Sequence, residues 1–562
     1  MNNSQISARI KRLAAMMTLL GENQYKVRAF DKAADIIDLH PEEMGVLIDE
    51  DRLKAVPGIG DSLAHAILYY AKSGGPSIEK ELEARLPSGL PDLLTLKGLG
   101  LRKVQTLWKD HQISNLSDLE RACNSGELSQ WKGFGPKLEQ KLLEAIAFKA
   151  KHTRDFHLDM ATQIATKWRE KLSDLSDIDK IELTGQLRRG NELIQSVDFV
   201  VIPKTENLHN SLQEKFQLEL TGTDPLIITD PSGMPINLWL CSTDDFPARQ
   251  LILTGGKTYL EKIDTVLTKK NLSIEQDRIV GFQGSETSEV DLCRSLGLQW
   301  IEPPLRDSFD CFPKGQGLVQ DKDIRGILHA HSTWSDGRNS LEEMVVGAQK
   351  LGYQYLGISD HSQAAYYANG LKPDRVKAQW NQIDELNESY PDIHIFKGIE
   401  ADILSDGSLD YDDELLAGFD FVIASIHSHF HLDSTIQTDR IIRALQSPFT
   451  TILGHPTGRM LLAREGYAPD LPAIIEAASE YDKIIEINTT PKRLDLDWRY
   501  LKQAKASGVR VSINPDAHSL SGLETIPLGV IIAQKGGLSP EDVINTSGVS
   551  AFNSFLQKQK SR

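Results

Sequence analysis

Between residues 325 and 562, short apolar runs alternate with helical stretches: I-R-G-I-L, Y-Q-Y-L-G-I-S, H-I-F-K-G-I-E, F-D-F-V-I-A-S, T-T-I-L-G, K-I-I-E-I-N and V-R-V-S-I-N. Such alternation over about 240 residues predicts a parallel (β/α) barrel, a fold that gathers its reactive groups at the carboxyl ends of its strands. Nine candidate metal ligands fall at or just beyond those runs: His329 and His331 in L-H-A-H-S, Asp336 in S-D-G, His361 in S-D-H, Glu400 in G-I-E, His427 in S-I-H-S, His455 in G-H-P, and Asp516 with His518 in D-A-H. A single histidine in any of these strings is more often structural than a ligand. Nine in register predict a polynuclear metal centre and hydrolytic chemistry.

The chain has 562 residues, too many for one core, and its apolar fraction of 40% and charged fraction of 25% are those of a folded globular protein. The net charge of −17 opposes indiscriminate binding to a polyanion. Residues 1–150 carry about equal numbers of basic and acidic side chains, so the acidic excess lies downstream and the N-terminal third is free to meet phosphates. Cys123, Cys241, Cys293 and Cys311 stand apart with no C-x-x-C pair, as buried thiols of a reducing compartment do. The opening segment reads as an amphipathic helix without a small-residue cleavage site, and no later apolar run approaches the roughly 20 residues of a membrane span. The expected location is the cytoplasm, with no membrane partner.

Three similar units recur in the N-terminal third: L-K-A-V-P-G-I-G-D-S-L-A-H-A-I at 53–67, L-L-T-L-K-G-L-G-L-R-K-V-Q-T-L at 93–107, and L-S-Q-W-K-G-F-G-P-K-L-E-Q-K-L at 128–142. In each, a glycine pair with an apolar residue between (Gly58 and Gly60, Gly98 and Gly100, Gly133 and Gly135) joins two short helices. The second helix of each unit offers its N-terminal N–H groups to a phosphate. A tight helix connection alone would use the same turn, but basic residues flank two of the copies: Lys97, Arg102 and Lys103, then Lys132 and Lys137. The first copy is poorer in charge. The units resemble the helix-hairpin-helix motif, which implies a grip on a DNA backbone without base reading.

From 160 to 310 the pattern becomes α+β, with strand-like I-E-L-T, V-D-F-V-V-I and I-N-L-W-L. G-Q-L-R-R-G-N-E-L-I-Q-S-V-D-F-V-V at 185–201 resembles the nucleotidyltransferase signature of family X DNA polymerases, and L-T-G-G-K at 253–257 and L-G-L-Q-W-I-E-P-P-L-R-D at 296–307 add to the likeness. That family holds two Mg²⁺ ions on three carboxylates. Here the paired position reads Ser196-Val197-Asp198 and the third reads Asn237, so Asp198 alone remains. Glu192, six residues before Asp198, does not restore the geometry, and Gln186 and Gly256 replace two expected serines. The lysine nucleophile of the polymerase β type of lyase falls on Ala66. The expectation is a palm that holds no Mg²⁺ pair and serves as a DNA-holding scaffold.

The series H-A-H-S-T-W-S-D-G, S-D-H, G-I-E, S-I-H-S, G-H-P and D-A-H is similar to the PHP (polymerase and histidinol phosphatase) domain, a distorted (β/α)7 barrel. The resemblance implies three divalent transition ions, zinc or manganese with iron as an alternative, and a metal-held hydroxide in place of a side-chain nucleophile. It assigns His329, His331, Glu400 and Asp516 to one ion, His427 and His455 with a bridging Glu400 to a second, and Asp336, His361 and His518 to the third. Asp360 either orients an imidazole or caps a helix. Arg459 in H-P-T-G-R and Arg493 in P-K-R are candidate phosphate clamps or surface ion pairs.

The whole order of parts resembles bacterial family X polymerases with a C-terminal PHP domain. The expected architecture is multidomain: a helical domain at 1–80 with the first hairpin, a fingers-like helical domain at 81–150 with two more, a palm at 151–245, a thumb at 246–318 and the barrel at 325–562. The resemblance implies metal-dependent 3′–5′ exonuclease or 3′-end processing on gapped, nicked or 3′-ended DNA. The alternatives are a working gap-filling polymerase, a small-molecule phosphatase of the histidinol phosphatase kind, and a non-enzymatic DNA-end scaffold.

Overall fold

A computed structural model describes residues 3–40, 42, 44–73, 77–96, 98–205, 208–217, 220–282, 286–307 and 317–561. Lys97 and Cys311 lie outside the described residues. The chain divides into two compact units, Met1–Thr153 and Arg154–Arg562.

The first unit is helical. Helices Asn3–Leu19 and Gln24–Leu39 pack together and bury Ile6, Ile10, Leu13 and Met17 on one, at i, i+4, i+7 and i+11, and Phe30, Ala33 and Ile37 on the other, at i, i+3 and i+7. The three glycine turns share one conformation. Gly58, Gly98 and Gly133 have φ of 94°, 97° and 91°, a region costly for any residue with a Cβ, and Gly60, Gly100 and Gly135 then lead directly into helices Asp61–Ser73, Leu101–His111 and Pro136–Lys151. The apolar middle residues Ile59, Leu99 and Phe134 are buried and anchor each turn.

Among its described residues the second unit contains two large sheets and two two-stranded ones, Phe156–His157 with Leu193–Ile194 and Ser273–Glu275 with Arg278–Val280. In the first large sheet, strands β1 (Ile178–Thr184), β2 (Val197–Pro203), β3 (Leu226–Thr229) and β4 (Pro235–Leu240) run in the order β1-β2-β4-β3. The β2–β4 pairing is parallel and sets Asp198 directly beside Asn237. β2 is buried on both faces through most of its length, which matches its unbroken apolar run. Helices Phe246–Thr254, Lys257–Thr268 and Glu289–Ser295 build the thumb-like segment with its own small core around Leu251, Tyr259, Ile263 and Leu292.

The second large sheet is the barrel. Strands β5 (Gly326–Ile327), β6 (Tyr355–Ile358), β7 (His394–Asp402), β8 (Phe421–Ser425), β9 (Ile452–Leu453), β10 (Ile484–Asn488) and β11 (Val511–Asn514) are all parallel and pair in sequence order. A parallel bridge from Ala330 to Ala517, and a bond from the Leu328 N–H to Asn514 Oδ1 at 3.1 Å, draw the first and last strands together. The result is a nearly closed, distorted (β/α)7 barrel. The C-terminal helix Val549–Lys560 seals its amino end: Phe552 stacks on Tyr355 at 5.6 Å and meets Phe396 edge-on at 5.2 Å. Only the carboxyl end is left for polar groups.

Two buried charged residues tie the palm to the barrel. Glu192 accepts from Trp498 Nε1 at 3.1 Å and Arg499 Nη1 at 2.9 Å. Lys535, with no exposed side-chain area, donates to Asp307 Oδ2 at 2.6 Å, Asn191 Oδ1 at 3.0 Å and the Arg189 carbonyl at 3.1 Å. A buried ammonium persists only when its donors are satisfied in this way.

Candidate metal centre

The nine candidate ligands converge at the carboxyl end of the barrel. Glu400, near the end of β7, is fully buried at the middle of the set. Its Oε1 lies 3.0 Å from His455 Nε2, 3.2 Å from His427 Nε2 and 3.4 Å from His329 Nε2, and its Oε2 lies 2.9 Å from His361 Nδ1 and 3.6 Å from His331 Nε2. Asp516 Oδ1 lies 3.1 Å from His331 Nε2 and 3.5 Å from His329 Nε2. Asp336 Oδ1 lies 3.6 Å from His361 Nε2 and 3.4 Å from His518 Nε2.

Three clusters of ligand atoms come within reach of common points: His331, Asp336, His361 and His518; His329, His331 and Asp516; and His361, Glu400 and His427. His331 and His361 each belong to two of them. His455 reaches the set through Glu400.

The electrostatics follow from packing carboxylates among imidazoles. Burial favours a neutral His427, but Glu400 and Asp402 outweigh it and push its pKa up to about 10. His331, buried beside His518 and His361, is pushed down to about 3. Glu400 resists its own burial because His427, His329 and His361 hold its carboxyl well below the usual range.

The residues fit a metal. His329 Nε2, His361 Nδ1 and Glu400 Oε2 are buried and make no hydrogen bond within the protein, although each faces ligand atoms of the opposite kind. Buried polar atoms are seldom left so. Partners outside the ligand set fix the ring orientations. Glu486 Oε1 takes His329 Nδ1 at 2.6 Å, and Asp402 Oδ1 takes His427 Nδ1 at 2.6 Å, which turns both Nε2 atoms inward. Asn488 Nδ2 donates to Asp516 Oδ2 at 3.1 Å.

These three partners do not stand out in the sequence. The available signal was a carboxylate interrupting the apolar run I-I-E-I-N, since a buried glutamate inside a strand needs a partner. Asp360 performs neither expected role. It is fully buried and collects the Ser332 N–H, the Ser332 and Ser335 hydroxyls and Gln379 Nε2, so it braces the loop that carries Asp336.

The two arginines separate. Arg459 donates through Nε to the Arg493 carbonyl at 2.9 Å, through Nη1 to Asp497 at 2.6 Å, and through Nη2 to the Leu494 carbonyl, with Glu192 3.8 Å away. The expectation of a phosphate clamp at Arg459 is therefore corrected: its guanidinium is committed to the 493–497 loop and to the palm. Arg493 is half-buried, and its charge acts on Tyr367 together with the charges of Glu400, Asp402 and Asp336.

The palm makes the opposite arrangement. Asp198 accepts from Ser196 Oγ at 2.8 Å, Asn237 Nδ2 at 2.8 Å and Trp239 Nε1 at 3.1 Å. Three neutral donors point at one carboxylate, and such a set does not fit a pair of Mg²⁺ ions, which need oxygen acceptors. Arg188 pairs with Glu289 at 2.5 Å and Arg189 with Asp307 at 2.7 Å. Both arginines of G-Q-L-R-R-G are thus neutralised within the protein.

In the first unit Arg102 and Lys137 are exposed beside their turns, and Lys103 Nζ lies 3.3 Å from the Gly98 carbonyl. Asp61 opens the helix after Gly60 and pairs with Lys54 at 2.6 Å, so the first turn presents a carboxylate where the others present cations.

Residues 328–490 match the PHP domain family, residues 1–75 a helix-hairpin-helix domain, and residues 90–147 a SAM-like helix-hairpin-helix tandem. The DNA polymerase/3′-5′ exonuclease PolX of Bacillus subtilis is 33% identical over 99% of this chain and 100% of its own length. The chain belongs to the PolX family. Barrel-only relatives include probable phosphatases of Caldicellulosiruptor bescii, 29% identical over 41% of the chain and 94% of their own length, and of a Thermoanaerobacter species, 28% identical over 43% and 96%. In this chain a barrel with nine candidate ligands accompanies a sheet in which Asp198 pairs with Asn237 and lies two residues from Ser196. No helix among the described residues is long and apolar enough to cross a membrane.

Proposed function

We propose that the chain is a cytoplasmic DNA-repair enzyme that removes nucleotides from 3′ ends at the barrel's metal centre and does not polymerise. The observation that carries this reading is the contrast in hydrogen bonding: His329 Nε2, His361 Nδ1 and Glu400 Oε2 of the barrel are buried without a hydrogen-bond partner, whereas the palm's Asp198 accepts from three donors. The donor set of six imidazoles and three carboxylates suits zinc, manganese or iron, and three ions account for all nine ligands. When bound, such ions activate water near neutral pH and neutralise charge on a phosphoryl oxygen.

The chain's own residues do the rest. Glu486 and Asp402 hold His329 and His427 in the tautomer that leaves Nε2 facing inward. Arg493 offers a cation to the phosphodiester entering beside Tyr367. The glycine turns of the first unit, the second and third with Arg102, Lys103 and Lys137, hold the backbone of gapped, nicked or 3′-ended DNA. The phosphatase alternative is less well supported, because the phosphatase relatives match the barrel alone and leave the first unit without a purpose.

The test is a 3′-recessed primer-template incubated with and without deoxynucleotides in Mn²⁺, Zn²⁺ or Mg²⁺. The primer is expected to shorten, to stop shortening on chelation, and to persist with Asp336→Ala or His427→Ala while DNA binding is kept. Template-directed extension that disappears with Asp198→Ala would overturn the reading of the palm, and undiminished digestion by either barrel variant would overturn that of the barrel.

A further inference from the structure

The ten residues that follow the ligand His361 form a compact loop with two large aromatic rings at its tip. The loop closes on the ligand itself: the Leu371 N–H donates to the His361 carbonyl at 2.8 Å, and Ser362 bridges Leu371. Inside it, Ala365 N–H bonds Ser362 O at 3.1 Å and Gly370 N–H bonds Ala365 O at 3.1 Å. A Cβ on Gly370 would lie 1.9 Å from the Ser362 carbonyl, so the fold of this loop demands glycine there.

Outside braces hold it. Asp410 Oδ2 accepts the Ala364 N–H at 2.8 Å, and Asn369, in the left-handed region at φ 56°, donates through Nδ2 to the Trp334 and Ser335 carbonyls at 3.2 and 3.3 Å. Those carbonyls belong to the loop that carries Asp336. The tip is therefore locked between two ligand-bearing segments.

On this rigid tip, Tyr366 is 86% and Tyr367 63% exposed, edge to face with centroids 6.1 Å apart. Two adjacent rings held in solvent by a braced loop offer a contiguous aromatic surface to a flat ligand. The Tyr367 phenol is raised above its ordinary value by partial desolvation and then by the carboxylates of Asp402, Glu400 and Asp336; the bonds from Leu371 to His361 and from Asn369 to the Trp334 and Ser335 carbonyls are what set the tip beside the ligand-bearing segments.

We propose that Tyr366 and Tyr367 form a stacking platform for the nucleobase at the 3′ terminus, which positions the terminal phosphodiester at the metal centre. The inference rests on the nuclease reading and adds to it a means of telling a nucleotide end from a bare phosphate ester. Base–aromatic stacking tolerates all four bases, because every base offers a π face. The phenolic hydroxyls are not required; the rings are.

The test uses the full-length protein, Mn²⁺, and two single-stranded oligodeoxynucleotides that differ only at the 3′ terminus, one ending in thymidine and one in an abasic tetrahydrofuran nucleotide. For the unsubstituted protein KM is expected to be about tenfold lower for the thymidine end. Replacing both residues (Tyr366→Ala with Tyr367→Ala) removes that difference by raising KM for thymidine about tenfold and leaving the abasic end unchanged. Tyr366→Phe with Tyr367→Phe restores the unsubstituted behaviour. A double alanine variant that impairs both ends equally would reduce the loop to a structural role and overturn the platform, as would one that alters neither. Equal KM for both ends in the unsubstituted protein sinks the platform and leaves the nuclease reading standing. Failure to shorten either strand sinks both.

Discussion

The palm and the barrel each place a buried carboxylate on a pair of parallel strands, Asp198 in one and Glu400 in the other, yet they treat it in opposite ways. At Asp198 every nearby polar group is a neutral donor aimed at the oxygen: a hydroxyl, an amide and an indole. Around Glu400 the neighbours are imidazole nitrogens at 2.9 to 3.6 Å, two of them, His329 Nε2 and His361 Nδ1, without a hydrogen bond of their own. The first arrangement is complete within the protein; the second is completed by a cation. The direction of the hydrogen bonds, more than the number of acidic residues, separates a metal site from a remnant of one.

The largest effect that sharpens this comparison lies in the partners of the barrel ligands. Asp402→Ala frees the His427 ring and is expected to cut exonuclease activity about 10- to 100-fold, with a matching loss of metal affinity in titration. Activity unchanged by this variant would mean that His427 needs no orientation and would weaken the contrast drawn above. A smaller effect is expected in the palm. Asp198→Ala leaves the Asn237 and Trp239 donors without their acceptor and should lower stability by about 1 to 3 kcal/mol in denaturant unfolding, while exonuclease activity stays intact. Loss of nuclease activity at native temperature would show that the palm takes part in the chemistry. The smallest effect belongs to the first unit: Lys137→Ala should reduce the slope of log DNA affinity against log salt by about 1, uniformly across sequences. An unchanged slope would remove the third turn from the DNA contact.

Much of the barrel was legible because its strands are short and apolar and each ligand follows one. The pairing order and the convergence of His329, His361, Glu400, His427 and Asp516 at one end follow from that pattern. The place of Asn237 was legible only through the resemblance to family X polymerases, which expects a third carboxylate on a neighbouring strand; the register sets it beside Asp198. Glu486, Asp402 and Asn488 were not legible, because an orienting partner has no spacing rule of its own and is defined only by which ring it meets. Arg459 was misread for a related reason. Whether a guanidinium faces a site or leaves it depends on Asp497 and Glu192, one of them more than 250 residues away in sequence. The strand Leu226–Thr229 went unremarked among turn-forming residues, and its pairing with β4 makes it a strand.

Glu192 and Lys535 have a consequence for how this molecule can be taken apart. The phosphatase relatives show that a barrel of this kind exists as a protein by itself. In this chain the barrel's Lys535 is enclosed by Asp307, Asn191 and the Arg189 carbonyl, and its Trp498 and Arg499 close on Glu192. Excision near residue 320 would strip an ammonium and an indole of every partner that the upstream segment supplies. The loop that resembles a nucleotide grip is here a fastening between the two halves of the second unit, which are expected to unfold together.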